Sequence, residues 1–388
     1  MSLLVSGTEW VKTIPVVTQV TAARLRWRDH CPKAQFGRGE HMRTLSIAFA
    51  CLAVAMFTGL VPASRKGTDE IDPVQLKAFA PLPVEFESNS NPSTPAKIEL
   101  GRMLYYDARL SLDGSVSCNS CHRLSRYGVD GEPTSDGVGG QHGTRNSPTV
   151  YNAAGQFVQF WDGRAADVEG QAKGPLLNPV EMAMKSPQAV EAQLNSIPGY
   201  VAAFERAFPG EANPVTFDNM AKAIGAFERR LVTPSRWDAF LKGDRAALTP
   251  EEKQGFKTFA ASGCGACHAG ALVGGESHQR LGLAKDYPDA SDKGRYEVTK
   301  RASDMFVFKV PTLRNVAETG PYFHDGKVPT LDRAVAEMGE YQLGGSLNPG
   351  EVRAIVSWLK SLTGNLPREY IAEPKLPPSV GPARKPTT

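Results

Sequence analysis

Apolar residues recur at helical spacing in several stretches of the chain, and no convincing run alternates at strand spacing. Over 217–231 the positions Phe217, Met220, Ala223, Ile224, Phe227 and Leu231 share one face of a predicted helix. Asn348-Pro349-Gly350-Glu351 joins a capping residue, a proline at the first helical position and a glutamate at the third. It opens a helix whose Val352, Ile355, Val356, Leu359 and Leu362 share a face. Thr249-Pro250-Glu251-Glu252 repeats that start signal. The segments 109–160 and 270–330 are rich in Gly, Pro, Asn and Asp and predict long ordered loops. Loops of that length in a compact domain usually wrap something or carry function. From about Glu373 the chain holds five prolines and several Lys/Arg, and 371–388 read as a disordered tail.

A different pattern occupies the start. From Met42 the chain reads Met-Arg-Thr-Leu-Ser, then an apolar run from Ile47 to Val61, then Pro62-Ala63-Ser64. A positive start, an apolar stretch and small residues describe a secretory signal peptide over 42–64 and a periplasmic destination. A single membrane anchor is the other reading of that run, which is short for a span of ~20 residues. Residues 1–41 have no clear pattern and are expected to be an upstream extension outside the working protein. The expected product is exported, without stable membrane insertion.

The 388 residues suffice for about two domains. With 41% apolar and 22% charged residues, the composition is that of an ordinary globular protein. The formal charge of +3 comes from the leader: without the seven basic and three acidic residues of 1–64, 37 basic face 38 acidic ones. Nothing in this balance favours nucleic acid as a partner.

Two segments share a plan of amphipathic stretch, glycine-rich bend and Cys-x-x-Cys-His. The first leads from Lys97–Tyr105 to Cys118-Asn119-Ser120-Cys121-His122, the second from Glu252–Phe259 to Cys264-Gly265-Ala266-Cys267-His268. This predicts an internal duplication, with domains at 75–235 and 236–370. Two thiols one helical turn apart can bond both vinyl groups of a haem, and the adjacent histidine then reaches the iron. A disulfide or a zinc site is the bland reading of a single Cys-x-x-Cys. Two copies, each followed by His, leave it little room, because the only other cysteines, Cys31 and Cys51, lie in the leader. Two covalent haems c are therefore expected.

Beyond the proximal His122 and His268, the nitrogen candidates for the other axial positions are His142, His278 and His324. The thioether candidates are Met103, Met182, Met184, Met220, Met305 and Met338. Composition alone does not choose among them, and an isolated Met is more often core than ligand.

Over about 75–370 the sequence resembles the bacterial di-haem cytochrome c peroxidase family, which is related to MauG. The likeness is carried by Arg145-Asn146-Ser147-Pro148-Thr149-Val150-Tyr151-Asn152, Phe160-Trp161-Asp162-Gly163-Arg164-Ala165, Gln171-Ala172-Lys173-Gly174-Pro175 and Asn178-Pro179-Val180-Glu181-Met182. In the second half it is carried by Phe308-Lys309-Val310-Pro311-Thr312-Leu313-Arg314-Asn315 and Thr319-Gly320-Pro321-Tyr322-Phe323-His324-Asp325-Gly326. The resemblance implies an all-α fold of two cytochrome c-like domains with long ordered loops. It makes the N-terminal haem the low-potential, peroxidatic one and the C-terminal haem the high-potential, electron-accepting one.

The resemblance also assigns roles. His142 becomes the displaceable distal ligand, although its neighbours Gly139, Gly140 and Gly143 also fit a solvent-exposed loop. Glu181 becomes the acid/base at the peroxide site, although Asn178-Pro179-Val180-Glu181 also fits a capping box. Gln171 becomes a polar pocket residue, and Phe160 packs over the same face. Trp161 lies between the haems to assist electron passage, or is buried for packing. Asn146, Thr319 and Pro321 hold calcium, the last two through carbonyls. Met338 becomes the axial ligand of the second haem, where MauG-type enzymes place Tyr, and Tyr341 stands nearby. His324 falls near that haem without ligating it, and His278 has no assigned role.

The expected function is reduction of hydrogen peroxide to water with electrons from a small cytochrome c or cupredoxin, by a homodimer. The alternatives are a MauG-like oxidase of a protein side chain and a di-haem electron carrier without catalysis.

Overall fold

The computed structural model describes residues 70–379, and within them the fold is helix-rich with little sheet. The leader readings at 1–41 and 42–64 lie outside the described residues. In chain order the α-helices are α1 (Pro73–Leu76), α2 (Pro95–Tyr106), α3 (Cys118–Cys121), α4 (Val168–Leu177), α5 (Pro187–Asn195), α6 (Pro198–Ala207), α7 (Phe217–Glu228) and α8 (Arg236–Leu241). There follow α9 (Pro250–Ala261), α10 (Tyr296–Thr299), α11 (Leu331–Glu337) and α12 (Pro349–Lys360). Strands β1 (His278–Arg280) and β2 (Val307–Lys309) form one short antiparallel ladder that pairs His278 with Lys309. No described helix is long and apolar enough to cross a membrane.

The start signals read from the sequence work as expected. Thr249 and Glu252 close a capping box at α9, and Asn348 and Glu351 close one at α12, each with proline in the first turn. The face predicted for 217–231 is the buried side of α7, where Met220, Ala223, Ile224 and Phe227 are at most 1% exposed.

The predicted repeat is visible in the packing. Helix α2 crosses α7, and α9 crosses α12, each pair joining the helix before a Cys-x-x-Cys-His motif to a later helix of the same half. A glycine sits at each crossing. A Cβ on Gly101 would lie 1.9 Å from the carbonyl oxygen of Ala223, and one on Gly255 would lie 2.0 Å from that of Ala354. Only glycine lets the two backbones approach this closely.

Around these crossings lie two apolar cores. One gathers Leu100, Leu104, Tyr200, Phe204, Met220 and Ile224. The other gathers Trp237, Phe240, Phe256, Phe259, Ile355 and Trp358. A buried ion pair, Arg314–Asp238 at 2.7 Å, braces the second core, and Asp238 also accepts from the backbone N–H of Leu82.

The two ends of the described residues each pack on the other half. Phe79 packs edge-on against Trp237 and Phe256 of the second core. Tyr370 stacks on Phe227 of the first half at 5.1 Å, and Tyr106 donates to the carbonyl of Ile371 at 2.5 Å. The disordered tail expected over 371–388 is a correction as far as residue 379. Arg109 donates to the carbonyl of Pro377 (2.9 Å) and to Ser379 Oγ (2.8 Å), and Leu376 packs on the first core. Proline-rich composition was read as disorder, but here it gives an extended strap with few backbone donors to satisfy. Residues 380–388 lie outside the described residues.

Replacing Gly255 by Ala should destabilise the fold by about 1–3 kcal/mol, since the added methyl overpacks a backbone crossing. Urea unfolding midpoints measure this against Gly345→Ala, where an added Cβ meets nothing within 4 Å. Equal midpoints for the two variants would refute the close approach.

Candidate functional site

The first Cys-x-x-Cys-His stands on the one-turn helix α3, capped reciprocally by Ser117 and Ser120. It opens into a cleft with about 1310 Å³ of atom-free space, part of it open to solvent. Cys118, Cys121 and His122 line this cleft together with Gln171, Glu181, Phe160, Trp161 and Arg145. Gln171 projects from α4. Glu181 sits in the turn that follows α4, where its backbone N–H bonds Asn178 (3.0 Å) and its carbonyl accepts from Val138 (2.8 Å). Asn178 ends α4 rather than starting a helix, so the capping-box reading of Glu181 falls away. Its carboxylate accepts instead from the Asn178 amide at 2.6 Å. Burial raises the Glu181 pKa above the usual carboxylate value, against the pull of Asn178 and of Arg164. A carboxyl so tuned can exchange protons nearer neutrality.

His142 stands apart from these residues. It does not line the cleft but lies exposed at its rim, 3.2 Å from the Asp136 carboxylate. Its segment is tied to the Glu181 turn through the Val138–Glu181 backbone bond.

The second motif lines another cavity, with about 1160 Å³ of atom-free space. Cys264, Cys267, His268 and Met338 all face it, among Phe259, Val310, Leu313, Ile355 and Leu359. Met338 starts a single π-helical turn, Met338–Gln342, after α11. Such turns often mark functional positions in helices. Tyr341 does not line this cavity. It packs on Tyr287 at 5.4 Å, with Lys285 over its ring. His324 is 4% exposed, lines the cavity and packs at a tilt against Phe308 at 4.4 Å. His278 lies outside it, edge-on to Phe157 and beside Arg295.

Between the cavities runs a wall, and among the described residues only Trp161 and Lys309 line both sides of it. Trp161 is held at three points. Its indole N–H donates to the Asn146 carbonyl (2.9 Å), its carbonyl accepts from the Lys309 N–H (2.7 Å), and its ring meets His324 at 6.5 Å. Phe160 before it adopts a left-handed backbone (φ 66°), with the Arg164 guanidinium 3.4 Å above its ring. A non-glycine residue in that region is strained and persists where its surroundings over-determine it. Arg145 closes the wall by pairing with Asp162 (2.5 Å) in one half and Asp292 (2.6 Å) in the other. Asn146, Thr319 and Pro321 line a third, smaller cleft of about 610 Å³ against the same wall.

The residues present fit haem better than their rivals. The four cysteines of the two motifs are free thiols. Burial pushes Cys118 up to about 12, and Cys121 and Cys264 up to about 11, so these walls suit a neutral thioether rather than a zinc thiolate. Among the described residues no cluster of three or more His, Cys, Asp or Glu is built for a metal ion. His122 Nδ1 is buried without a hydrogen-bond partner, while His268 Nδ1 lies 3.4 Å from the Val273 carbonyl. Burial lowers the pKa of both imidazoles, His268 to about 4, which keeps a lone pair available for iron.

Sequence reasoning passed over two charged groups. Glu228 on α7 lines the first cleft and is raised to about 8 by burial. Lys309 is 5% exposed in the wall itself. The signal for the second was a lysine between the apolar Phe308 and Val310.

Comparison with known proteins agrees with this geometry. The model of the di-haem cytochrome c peroxidase family matches residues 95–246. The cytochrome c551 peroxidase of Pseudomonas aeruginosa is 51% identical over 310 residues, covering 78% of this chain and 88% of that protein. The cytochrome c551 peroxidase of Nitrosomonas europaea is 43% identical over 343 residues, covering 87% and 96%. The methylamine utilization protein MauG of Methylorubrum extorquens is more distant, at 34% over 76% of this chain and 83% of that protein. Among solved structures, a MauG-like protein associated with microbial copper homeostasis superposes with a TM-score of 0.69 at 28% identity, covering 76% of this chain and 97% of that one. The chain belongs to the di-haem cytochrome c peroxidase family, and that membership implies two haems c.

Replacing both cysteines of either motif by serine should leave one covalent haem per chain. Pyridine haemochrome assay of purified protein measures it, and loss of both haems from either variant would show that the cavities do not load separately.

Proposed function

We propose that this chain reduces hydrogen peroxide to water with electrons from a small cytochrome c or a cupredoxin. In this reading it is an exported, periplasmic protein whose segments 75–235 and 236–370 are two cytochrome c-like domains with one haem each. The homodimer and the donor class are carried over from the family resemblance. The observation that carries the reading is the inequality of the two cavities. One is lined by a half-buried carboxylate and an amide, the other by a thioether among aliphatic residues, and Trp161 and Lys309 stand between them.

When bound, the haems supply the iron that meets peroxide and a store for reducing electrons. His122 and His268 would hold the two irons, and Met338 would complete the second site, where a thioether raises the potential. The turn of Tyr341 toward Tyr287 favours Met338 over a tyrosine ligand. His142 is the displaceable distal ligand. Its ring is exposed on a glycine-flanked segment beside the Asp136 carboxylate, at the rim of the cleft. Glu181 takes a proton from one oxygen of hydrogen peroxide and returns it to the departing oxygen, while Gln171 holds the substrate. Trp161 offers the route for electrons across the wall.

Asn146, Thr319 and Pro321 hold calcium. The Asn146 amide donates to the Glu132 carbonyl at 3.0 Å, and its own carbonyl anchors Trp161, so an ion there would stiffen the wall.

Glu181 works as a base only when ionised, and its pKa stands above the ordinary carboxylate value. Turnover should therefore fall as pH drops through that raised value. Glu181→Gln should lose roughly 10²–10⁴-fold in kcat together with this acid limb. Steady-state peroxidase assays across pH measure both, and an unchanged profile would remove Glu181 from the chemistry.

His142→Ala should show a high-spin ferric haem in the fully oxidised protein and turn over without pre-reduction. Optical and electron paramagnetic resonance spectra test this. A variant as low-spin and as dependent on reduction as the parent would reject the ligand role.

A further inference from the structure

Lys309 is a charged residue with too little protein around it to explain its burial. It ends β2 between the apolar Phe308 and Val310 and is 5% exposed. The only hydrogen-bond partner of its amine among the described residues is the amide oxygen of Gln156. Asp162, a carboxylate that attracts it, is already paired with Arg145 and Arg164. A buried ammonium is costly unless an anion faces it. Without one, burial brings the Lys309 pKa down to about 7.

The position indicates where the missing anions come from. With Trp161, Lys309 lines both large cavities and also the cleft of Asn146, Thr319 and Pro321. A haem in each cavity would bring carboxylates of its own, the propionates, and no other described residue except Trp161 touches both spaces. The backbone N–H of Lys309 also fixes the Trp161 carbonyl, so the charge stands beside the proposed electron route.

We propose that Lys309 is an electrostatic bridge shared by the two haems: its ammonium binds propionates from both sides of the wall and holds positive charge there, which favours the reduced state of each haem. The inference rests on the two-haem reading and deepens it. Lys309 is a positioning residue, acting through the haem propionates and not on peroxide. It exchanges no proton or electron itself.

The test is a spectroelectrochemical titration of holoprotein in Lys309→Met and Lys309→Arg variants. A unit charge at ~10 Å and an effective dielectric of ~20 changes a one-electron equilibrium by roughly tenfold. Lys309→Met should therefore lower the midpoint potentials of both haems, each by about 59 mV for that tenfold change. Lys309→Arg should keep both near the parent values. Where the Met variant fails to load haem, Lys309→Gln, which keeps a donor toward Gln156, carries the same expectation. Unaltered potentials in a fully loaded neutral variant, or a shift confined to one haem, would overturn the bridge while leaving the two-haem reading intact. Fewer than two haems per chain in the parent protein would overturn both.

Discussion

The wall between the two cavities is the constraint on which the rest of the structure depends. Two redox groups are useful to each other only if they are close and held at a fixed separation, and here one indole and one lysine span the interval. The wall draws its rigidity from both halves. Trp161 is bonded through Asn146 on one side and Lys309 on the other, and Arg145 joins Asp162 to Asp292 across the same line. The strained backbone at Phe160 persists because the Arg164 guanidinium caps its ring and the neighbouring bonds leave no other course. The two ends of the described residues serve the same purpose at a distance. With Phe79 in the second core and Tyr370 on Phe227 of the first half, neither half can turn without breaking aromatic contacts in the other.

Much of the frame was legible in the sequence because it rests on local chemistry. Capping boxes at Thr249 and Asn348 depend on residues three apart, and the buried face of α7 depends on helical spacing. The Cys-x-x-Cys-His motifs are equally local. What could not be read depends on partners far apart in the chain. Gln156 and Lys309 lie 153 residues apart, and Arg145 and Asp292 lie 147 apart. The capping pattern at Asn178 was misleading for a similar reason: the long-range bond from Val138 to the Glu181 carbonyl fixes that segment as a turn. The strap at 371–379 was hidden too, because its order comes from Arg109 and from the first core, not from its own composition.

The roles assigned by resemblance separate into two kinds in the structure. Glu181, Gln171 and Trp161 face the first cleft with its Cys-x-x-Cys-His residues, and Met338 faces the second. Asn146, Thr319 and Pro321 share the smaller cleft against the wall. His142 alone stands off, exposed beside Asp136. For a ligand that must leave, weak attachment is an expected property: a ring buried and well bonded at the iron would be costly to displace. Its tie to the Glu181 turn through Val138 means that movement of this segment would be felt at the Glu181 carboxylate.

The duplication explains why the two cavities differ while their frames do not. The crossings of α2 with α7 and of α9 with α12 repeat down to the glycine at the contact, and each half carries its Cys-x-x-Cys-His motif after the first helix of its pair. The differences lie in what the loops and one helix end contribute. The 109–160 loop and the turn after α4 bring polar groups to the first cavity. The π-helical turn after α11 brings Met338 into an aliphatic second cavity. A repeat alone would yield two equivalent irons with no direction of electron flow. Loops can diverge without disturbing a packed core, so the asymmetry that peroxide reduction requires arose where it costs the fold least. The wall, built from one residue of each half, is where the two unlike sites meet.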